Sequence, residues 1–148
     1  MTLKLERCQQ GAELPTSANS CSGEAGYGVY AYVPSSGMRA YYSANGESIF
    51  SLVHRCGEIV HFRGARRHAL VSFIRTEVQK LGRAMVGYKV PVVSGNNVQR
   101  FGSLIEFYIS ERYPNAVAYL VPHQGPGIPT GTQAVIRDLS AFDCQLVK

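Results

Sequence analysis

The spacing of apolar and polar residues divides the chain into short strands and amphipathic helices. In segment 68–81 apolar residues recur every three or four positions, which is the spacing of one buried helix face. A second long helix is predicted from Asn96 or Asn97 to about Arg112. Runs rich in β-branched and aromatic residues predict strands. These strands are Leu3–Cys8, Val29–Val33, Glu58–Phe62, Ala116–Val121, Gln133–Arg137 and Cys144–Val147.

The segments between these elements carry weaker signals. A helix capped by Ser35 or Ser36 is expected after the strand that Pro34 ends. A further short helix is predicted over 47–54, because its apolar residues fall on one helical face. Residues 88–93 contain a proline and are expected to form an edge strand or an extended loop. The Gly- and Pro-rich residues 123–131 are expected to form a mobile binding loop or a long hairpin turn.

The mixed order of strands and helices indicates an α+β fold. With 148 residues and 45% hydrophobic content, the chain suits one compact domain, 1–148. No apolar run is long enough to cross a bilayer and the N-terminus lacks a signal peptide's apolar segment, so we expect a cytoplasmic protein with no membrane partner. The four cysteines have no C-x-x-C spacing, so we expect buried free thiols and no metal site. The oligomeric state stays open.

The charge of the chain favours acidic partners. Its net charge is +5, from 15 Lys and Arg against 10 Asp and Glu, and the bases concentrate between Arg55 and Lys89. Within this stretch Arg63, Arg66 and Arg67 follow a predicted strand. Guanidinium groups bind phosphate bidentately, so phosphate is one natural target of these three arginines. The alternative is a solvated basic face that aids solubility.

Two tyrosines are separated by ten intervening residues across the predicted change from strand to helix. Tyr30 belongs to the strand and Tyr41 to the helix that follows it. Two rings placed in this way can sandwich a flat cationic ring, because aromatic faces are electron-rich. The chain has nine tyrosines, so the alternative is an ordinary pair of core or surface residues.

This arrangement resembles the ADP-ribosyltransferase fold, in particular its diphtheria-toxin and poly(ADP-ribose) polymerase branch, where tyrosines spaced in the same way grip nicotinamide. The resemblance implies a split antiparallel sheet with flanking helices, and NAD as the bound dinucleotide. It places Arg7, on the first strand, against phosphate or ribose. It places Gln133 where the family has a glutamate that orients the ribose 2′-hydroxyl.

The glutamine is a departure from the family, because it supplies no negative charge to a positively charged transition state. Another acid would have to reach the site. Glu106 and Glu111 on the late helix, Glu58 and Asp138 are the candidates, and spacing does not choose among them. Glu106 is carried forward with Gln133 as the candidate catalytic pair.

The resemblance therefore implies a mono-ADP-ribosyltransferase-like protein, in the glycosyltransferase class, that binds NAD and modifies a protein or nucleic acid. In this interpretation Arg63, Arg66 and Arg67 are assigned to docking of that macromolecular acceptor. A small basic chain of this kind suits a phage or mobile-element effector. The alternative is a non-catalytic inhibitor or binding module, which would dock through its basic face on nucleic acid or an acidic protein.

Overall fold

The computed structural model of the protein describes residues 2–15, 26–125 and 127–148. Over these residues the chain forms a mixed α+β domain with one seven-stranded sheet and three α-helices. The strands are β1 Lys4–Gln9, β2 Val29–Tyr32, β3 Ser48–His54, β4 Glu58–His61, β5 Ala116–Gly125, β6 Ile128–Ile136 and β7 Phe142–Leu146. The helices are α1 Ser36–Tyr42, α2 Gly64–Ala84 and α3 Gly102–Arg112. Part of the predicted irregular segment, residues 16–25, lies outside the described residues, as does Cys21.

The sheet consists of two groups of strands that meet at a short joint. Its order is β4-β5-β6-β2-β1-β3-β7. β1 pairs with β3 over six residues and β2 pairs with β6 over four, whereas β1 and β2 share the single register pair Glu6↔Tyr32. Beyond that pair the two central strands part. We call the space between them the seam.

The sheet is not purely antiparallel, which corrects one part of the expected architecture. β4 and β5 run parallel, while the other pairs described are antiparallel. The chain leaves β4 through α2 and α3 before it enters β5. A helical crossover of this length returns the chain to the end of the sheet from which it started, so parallel pairing is the direct result.

The two long helices pack against one face of the sheet. Leu70 and Ile74 of α2, with Ile105 and Ile109 of α3, are fully buried in a cluster that includes apolar residues of β4, β5 and β6. These are the positions that the helical spacing predicted to be buried. α2 begins earlier than expected, at Gly64, and a 3-10 turn at Val98–Arg100 precedes α3. The amphipathic pattern therefore predicted the helices, but not their first turns.

Two segments differ from their predicted conformation. Residues 47–54 do not form a helix, because most of them belong to β3, where Phe50 and Leu52 are buried in alternation. The edge of β1 supplies a ladder of hydrogen bonds that outweighs a weak local helical pattern. Residues 123–131 are not a long loop, because β5 and β6 continue through them as far as the pair Gly125↔Ile128. Residues 88–93 form no strand, which leaves the extended loop of the two alternatives.

Three of the four cysteines lie in the described part of the chain. Cys8 is buried, as expected, but Cys56 and Cys144 are exposed free thiols, because the first lies in a turn and the second on the edge strand β7. No described helix combines the length and the apolar character needed to cross a bilayer. Nor do three His, Cys, Asp or Glu residues of the described ranges gather closely enough to hold a metal ion.

Candidate functional site

A cleft of about 970 Å³ opens where β1 and β2 part. It is lined by four residues that the sequence singled out as candidates, namely Arg7, Tyr30, Tyr41 and Gln133. They come from β1, β2, α1 and β6, so the fold brings together elements that are far apart in sequence. The fifth candidate for the chemistry, Glu106, is not among the lining residues.

The two tyrosines line the cleft in different ways. Tyr30 is partly buried against the core beneath α2 and α3, and its hydroxyl donates a hydrogen bond to the carbonyl of Gly26. Tyr41 leaves 43% of its surface exposed, and its ring lies edge-on to Tyr42 and His123 at 5.2 and 5.4 Å. Tyr30 is therefore a fixed part of the wall, whereas Tyr41 presents a largely open ring.

Local contacts fix the position of α1 and thus of Tyr41. Ser35 caps the helix, since its hydroxyl accepts a hydrogen bond from the Met38 backbone N–H at 3.2 Å. Met38 is fully buried, and Gly131 of β6 makes room for it, because a Cβ there would lie 2.7 Å from the Met38 Cγ. Tyr42 stacks on Tyr32 of β2 with ring centroids 5.0 Å apart. The helix is thereby held against the sheet at both of its ends.

Arg7 spans the seam instead of pointing freely into the cleft. Its Nη1 donates to the Tyr30 carbonyl at 2.7 Å, and its Nε donates to Gln9 Oε1 at 2.8 Å. The side chain thus satisfies a carbonyl of β2 near the point where pairing with β1 ends. Burial lowers the pKa of this guanidinium. Arg7 therefore joins the two groups of strands, and Nη2 is the nitrogen that these two bonds leave over for a ligand.

Gln133 offers a neutral hydrogen-bonding group inside the cleft. It is buried on β6, and its Nε2 donates to the Tyr42 hydroxyl at 3.3 Å. With the amide nitrogen used in this way, Oε1 is the atom that can accept a hydrogen bond from a ligand hydroxyl.

The candidate acids lie elsewhere. Glu106 on α3 pairs with Arg137 at 2.9 Å and accepts a hydrogen bond from the Tyr27 backbone N–H at 3.3 Å. The other three candidates, Glu58, Glu111 and Asp138, are not among the cleft's lining residues either. Within the described residues, Glu13 is the carboxylate that lines the cleft. The sequence analysis did not consider it, because it lies in a segment predicted to be irregular.

His123 is a cleft residue that the sequence analysis missed. It is buried, and its Nδ1 lies 2.9 Å from the Pro129 carbonyl oxygen. Since a carbonyl can only accept, Nδ1 carries the hydrogen, and in the neutral ring Nε2 holds the lone pair. The signal that would have found it is alternation along β5, because Tyr119 and Val121 lie on the same face. The predicted loop at 123–131 hid that alternation.

Arg100 is the second residue that the sequence analysis missed. It lies in the 3-10 turn before α3, is exposed, and lines the cleft. Its guanidinium makes no hydrogen bond or ion pair with the residues that the structure describes, in contrast to that of Arg7. Arg7 and Arg100 thus both line the cleft. The Arg7 guanidinium is hydrogen-bonded within the protein, whereas the Arg100 guanidinium is available to a ligand.

The three arginines assigned to an acceptor have different roles. Arg63 is exposed and immediately precedes α2. Arg66 is exposed and lies over the ring of Tyr113, 5.7 Å from its centroid. Arg67 is partly buried and donates to the Gly95 carbonyl and, at 3.0 Å, to Asn96 Oδ1. Arg63 and Arg66 are therefore available to a partner, whereas Arg67 ties α2 to the segment before the 3-10 turn.

In comparisons with known proteins, no family model, curated protein or solved structure matches the chain. Any function assigned to the chain therefore has to rest on the cleft itself.

Proposed function

We propose that the protein binds NAD in the cleft at the seam and transfers ADP-ribose from it to a macromolecule, in the manner of a mono-ADP-ribosyltransferase. One observation carries this proposal. Tyr30 and Tyr41, assigned to the nicotinamide, line the same cleft as Arg7, assigned to phosphate or ribose, and Gln133, assigned to the ribose hydroxyl. Its volume, about 970 Å³, suits a ligand of dinucleotide size.

The polar and aromatic groups of the cleft match the parts of the dinucleotide. The cationic nicotinamide ring packs against the tyrosine faces, where the electron-rich rings stabilise it. The diphosphate takes the guanidinium of Arg100 and the remaining nitrogen of Arg7, since charge-assisted hydrogen bonds to phosphate are strong. Gln133 Oε1 accepts a hydrogen bond from a ribose hydroxyl.

Transfer breaks the bond between the nicotinamide nitrogen and the ribose C1′, which leaves positive charge on the sugar. Neutral Gln133 orients the hydroxyl but stabilises that charge weakly. His123 Nε2, in the neutral ring, can take the proton of the attacking acceptor group. We therefore expect slow transfer rather than rapid turnover.

The same lack of charge favours a second candidate function, a binding module that does not catalyse. Glu106, the acid carried forward from the sequence, is already paired with Arg137 outside the cleft. A protein that holds the dinucleotide without cleaving it needs no carboxylate at Gln133.

Two measurements test the proposal and separate the candidates. Calorimetric titration with NAD checks binding, and release of free nicotinamide from NAD, followed by chromatography, checks cleavage. Binding together with release supports the transferase, whereas binding without release supports the non-catalytic module. Absence of binding at millimolar NAD contradicts both. A Gln133→Glu variant that accelerates release would show that the missing charge limits the reaction.

A further inference from the structure

A second hollow, of about 410 Å³, lies between α2 and α3 and is built largely from aromatic rings. Phe73 of α2 and Phe107 of α3 lie with their rings parallel within 6°, at a centroid separation of 6.1 Å. Phe107 exposes 56% of its surface, although neighbouring residues of α3 belong to the core. The two phenylalanines with Tyr108 and Tyr113 are called the aromatic hollow below.

Two arginines lie directly on the aromatic hollow. The Arg112 guanidinium carbon is 5.2 Å from the Tyr108 ring centroid, and that of Arg66 is 5.7 Å from the Tyr113 centroid. Both side chains are exposed. A guanidinium that stacks on a ring keeps its N–H edge free for anionic oxygens. The hollow therefore combines the exposed ring of Phe107 with donors for phosphate.

The hollow and the cleft at the seam are connected through contacts of α2. Arg66 is followed by Arg67, whose guanidinium holds Gly95 and Asn96. That segment leads directly into the 3-10 turn that carries Arg100 at the cleft. Arg66 on the hollow and Arg100 at the cleft are thus exposed arginines on segments that Arg67 joins.

We propose that the aromatic hollow docks the acceptor of the transfer reaction, and that this acceptor is a single-stranded nucleic acid. This assignment rests on the proposed function only in naming the ligand an acceptor. An unpaired base stacks on Phe107, and its flanking phosphates take Arg66 and Arg112. Glu111 also lines the hollow, and its carboxylate, which only accepts hydrogen bonds, suits the amino group of a base.

The test uses a fluorescein-labelled 12-nucleotide strand of alternating adenine and cytosine, as DNA and as RNA, with binding followed by anisotropy. Phe107→Ala should weaken binding about tenfold, because one stacking face is lost. The matched control is Met85→Ala, an apolar truncation of similar exposure outside the hollow (53% against 56%), which should bind as the wild type does. Replacing Arg66 and Arg112 together by Gln should lower the salt slope of log K by about 1.4, the value for two phosphate contacts on a single strand.

Several results would overturn the proposal. These are no binding of either strand, equal binding by Phe107→Ala and wild type, or equal binding of the matching duplex, whose bases cannot stack on the protein. Competition by a polyglutamate peptide as strong as by the unlabelled strand would point to an acidic protein surface instead, and would also overturn it.

The docking proposal and the proposed function can fail separately. Phe107→Ala should leave NAD affinity unchanged, since Phe107 does not line the cleft. If the nucleic-acid strand binds through Phe107 and NAD does not bind, the docking proposal is supported and the proposed transfer function is wrong. If NAD binds and the strand does not, only the docking proposal falls.

Discussion

At the scale of single residues, the cleft contains groups that are already engaged and groups that are free for a ligand. Tyr30 and Arg7 use their polar atoms to hold the protein together. Tyr41 and Arg100 expose theirs to solvent. Substitutions of the first pair should change both stability and binding, whereas those of the second pair should change binding alone.

We expect Tyr41→Ala to weaken NAD binding about fivefold, which corresponds to about 1 kcal/mol for the loss of one ring against the nicotinamide. Tyr41→Phe should bind nearly as the wild type does, because it keeps the ring. Calorimetric titration measures both. Tyr27→Ala is the control, since Tyr27 is 43% exposed like Tyr41 but does not line the cleft. Equal affinities of Tyr41→Ala and this control would remove Tyr41 from the nicotinamide site.

Alanine substitutions of Arg7 and Arg100 should differ in their effect on stability. Arg7→Ala removes a charge-assisted hydrogen bond to the Tyr30 carbonyl, so we expect a loss of about 1 to 3 kcal/mol in unfolding free energy together with weaker NAD binding. Lysine should rescue it poorly, because it lacks the planar fork. Arg100→Ala should weaken NAD binding about tenfold with an unchanged melting temperature. Unaltered NAD affinity in both variants would show that the diphosphate does not bind in this part of the cleft.

At the scale of elements, the position of Tyr41 depends on a seven-residue helix that is too short to be stable alone. Ser35→Ala removes its cap and should cost about 1 kcal/mol of unfolding free energy, with a smaller loss of NAD affinity as α1 frays. Ser35→Asp should retain both. Urea denaturation measures the stability, and Ser36→Ala, at the neighbouring exposed serine, is the control. A Ser35→Ala variant as stable as this control would show that the cap contributes nothing.

The elements also show how much of the secondary structure could be predicted from the sequence. Periodicity predicted α2 and α3, and Pro34 with the serines predicted the change from β2 to α1. The wrong predictions at β3 and at residues 123–131 have a common cause. Pairing with β1 determines the conformation of β3, and pairing between β5 and β6 determines that of residues 123–131. A strand that owes its conformation to a distant partner carries little local signal. His123 was missed for the same reason, because β5 and β6 continue through residues that were predicted to be a loop or a long hairpin turn.

At the scale of the whole molecule, the joint between the two groups of strands depends on an ionised carboxylate. Glu6 lies at the single β1–β2 register pair, where its Oε2 accepts hydrogen bonds from Arg39 Nε and the Tyr32 hydroxyl, each at 3.0 Å. The hydrogen bond from Arg39 is the main cause that lowers the pKa of Glu6. Burial and the neighbouring Cys8 and Glu6 raise the pKa of Tyr32, which therefore stays a donor.

A lowered pKa means that Glu6 stabilises the fold above the pKa of the unfolded chain, about 4.3, and that this contribution is lost as the pH falls through the lower folded value. We expect the unfolding free energy to decrease below about pH 4.3, and we expect Glu6→Gln to show a smaller decrease because it has no proton to bind. Denaturant melts across pH 3 to 7 check this. Glu47→Gln, at an exposed carboxylate, should follow the wild type; if Glu6→Gln does so too, the joint does not depend on ionised Glu6.

Of the whole architecture, the sequence predicted one mixed α+β domain, and the structure has that class. The parallel pair β4–β5 was not predicted, because a crossover is a property of chain path rather than of composition. The identity of the acid was not predictable either. Spacing along the chain does not reveal that Glu106 faces Arg137, a residue that reaches it only through the fold.

The parting of β1 and β2 has a consequence for motion. With one register pair between them, the groups β4-β5-β6-β2 and β1-β3-β7 have few hydrogen bonds to keep them aligned. A ligand that fills the seam touches both groups and adds a second attachment between them. Its binding should therefore slow amide hydrogen exchange well beyond the cleft, along β1 and β3, because openings that separate the two groups become rarer.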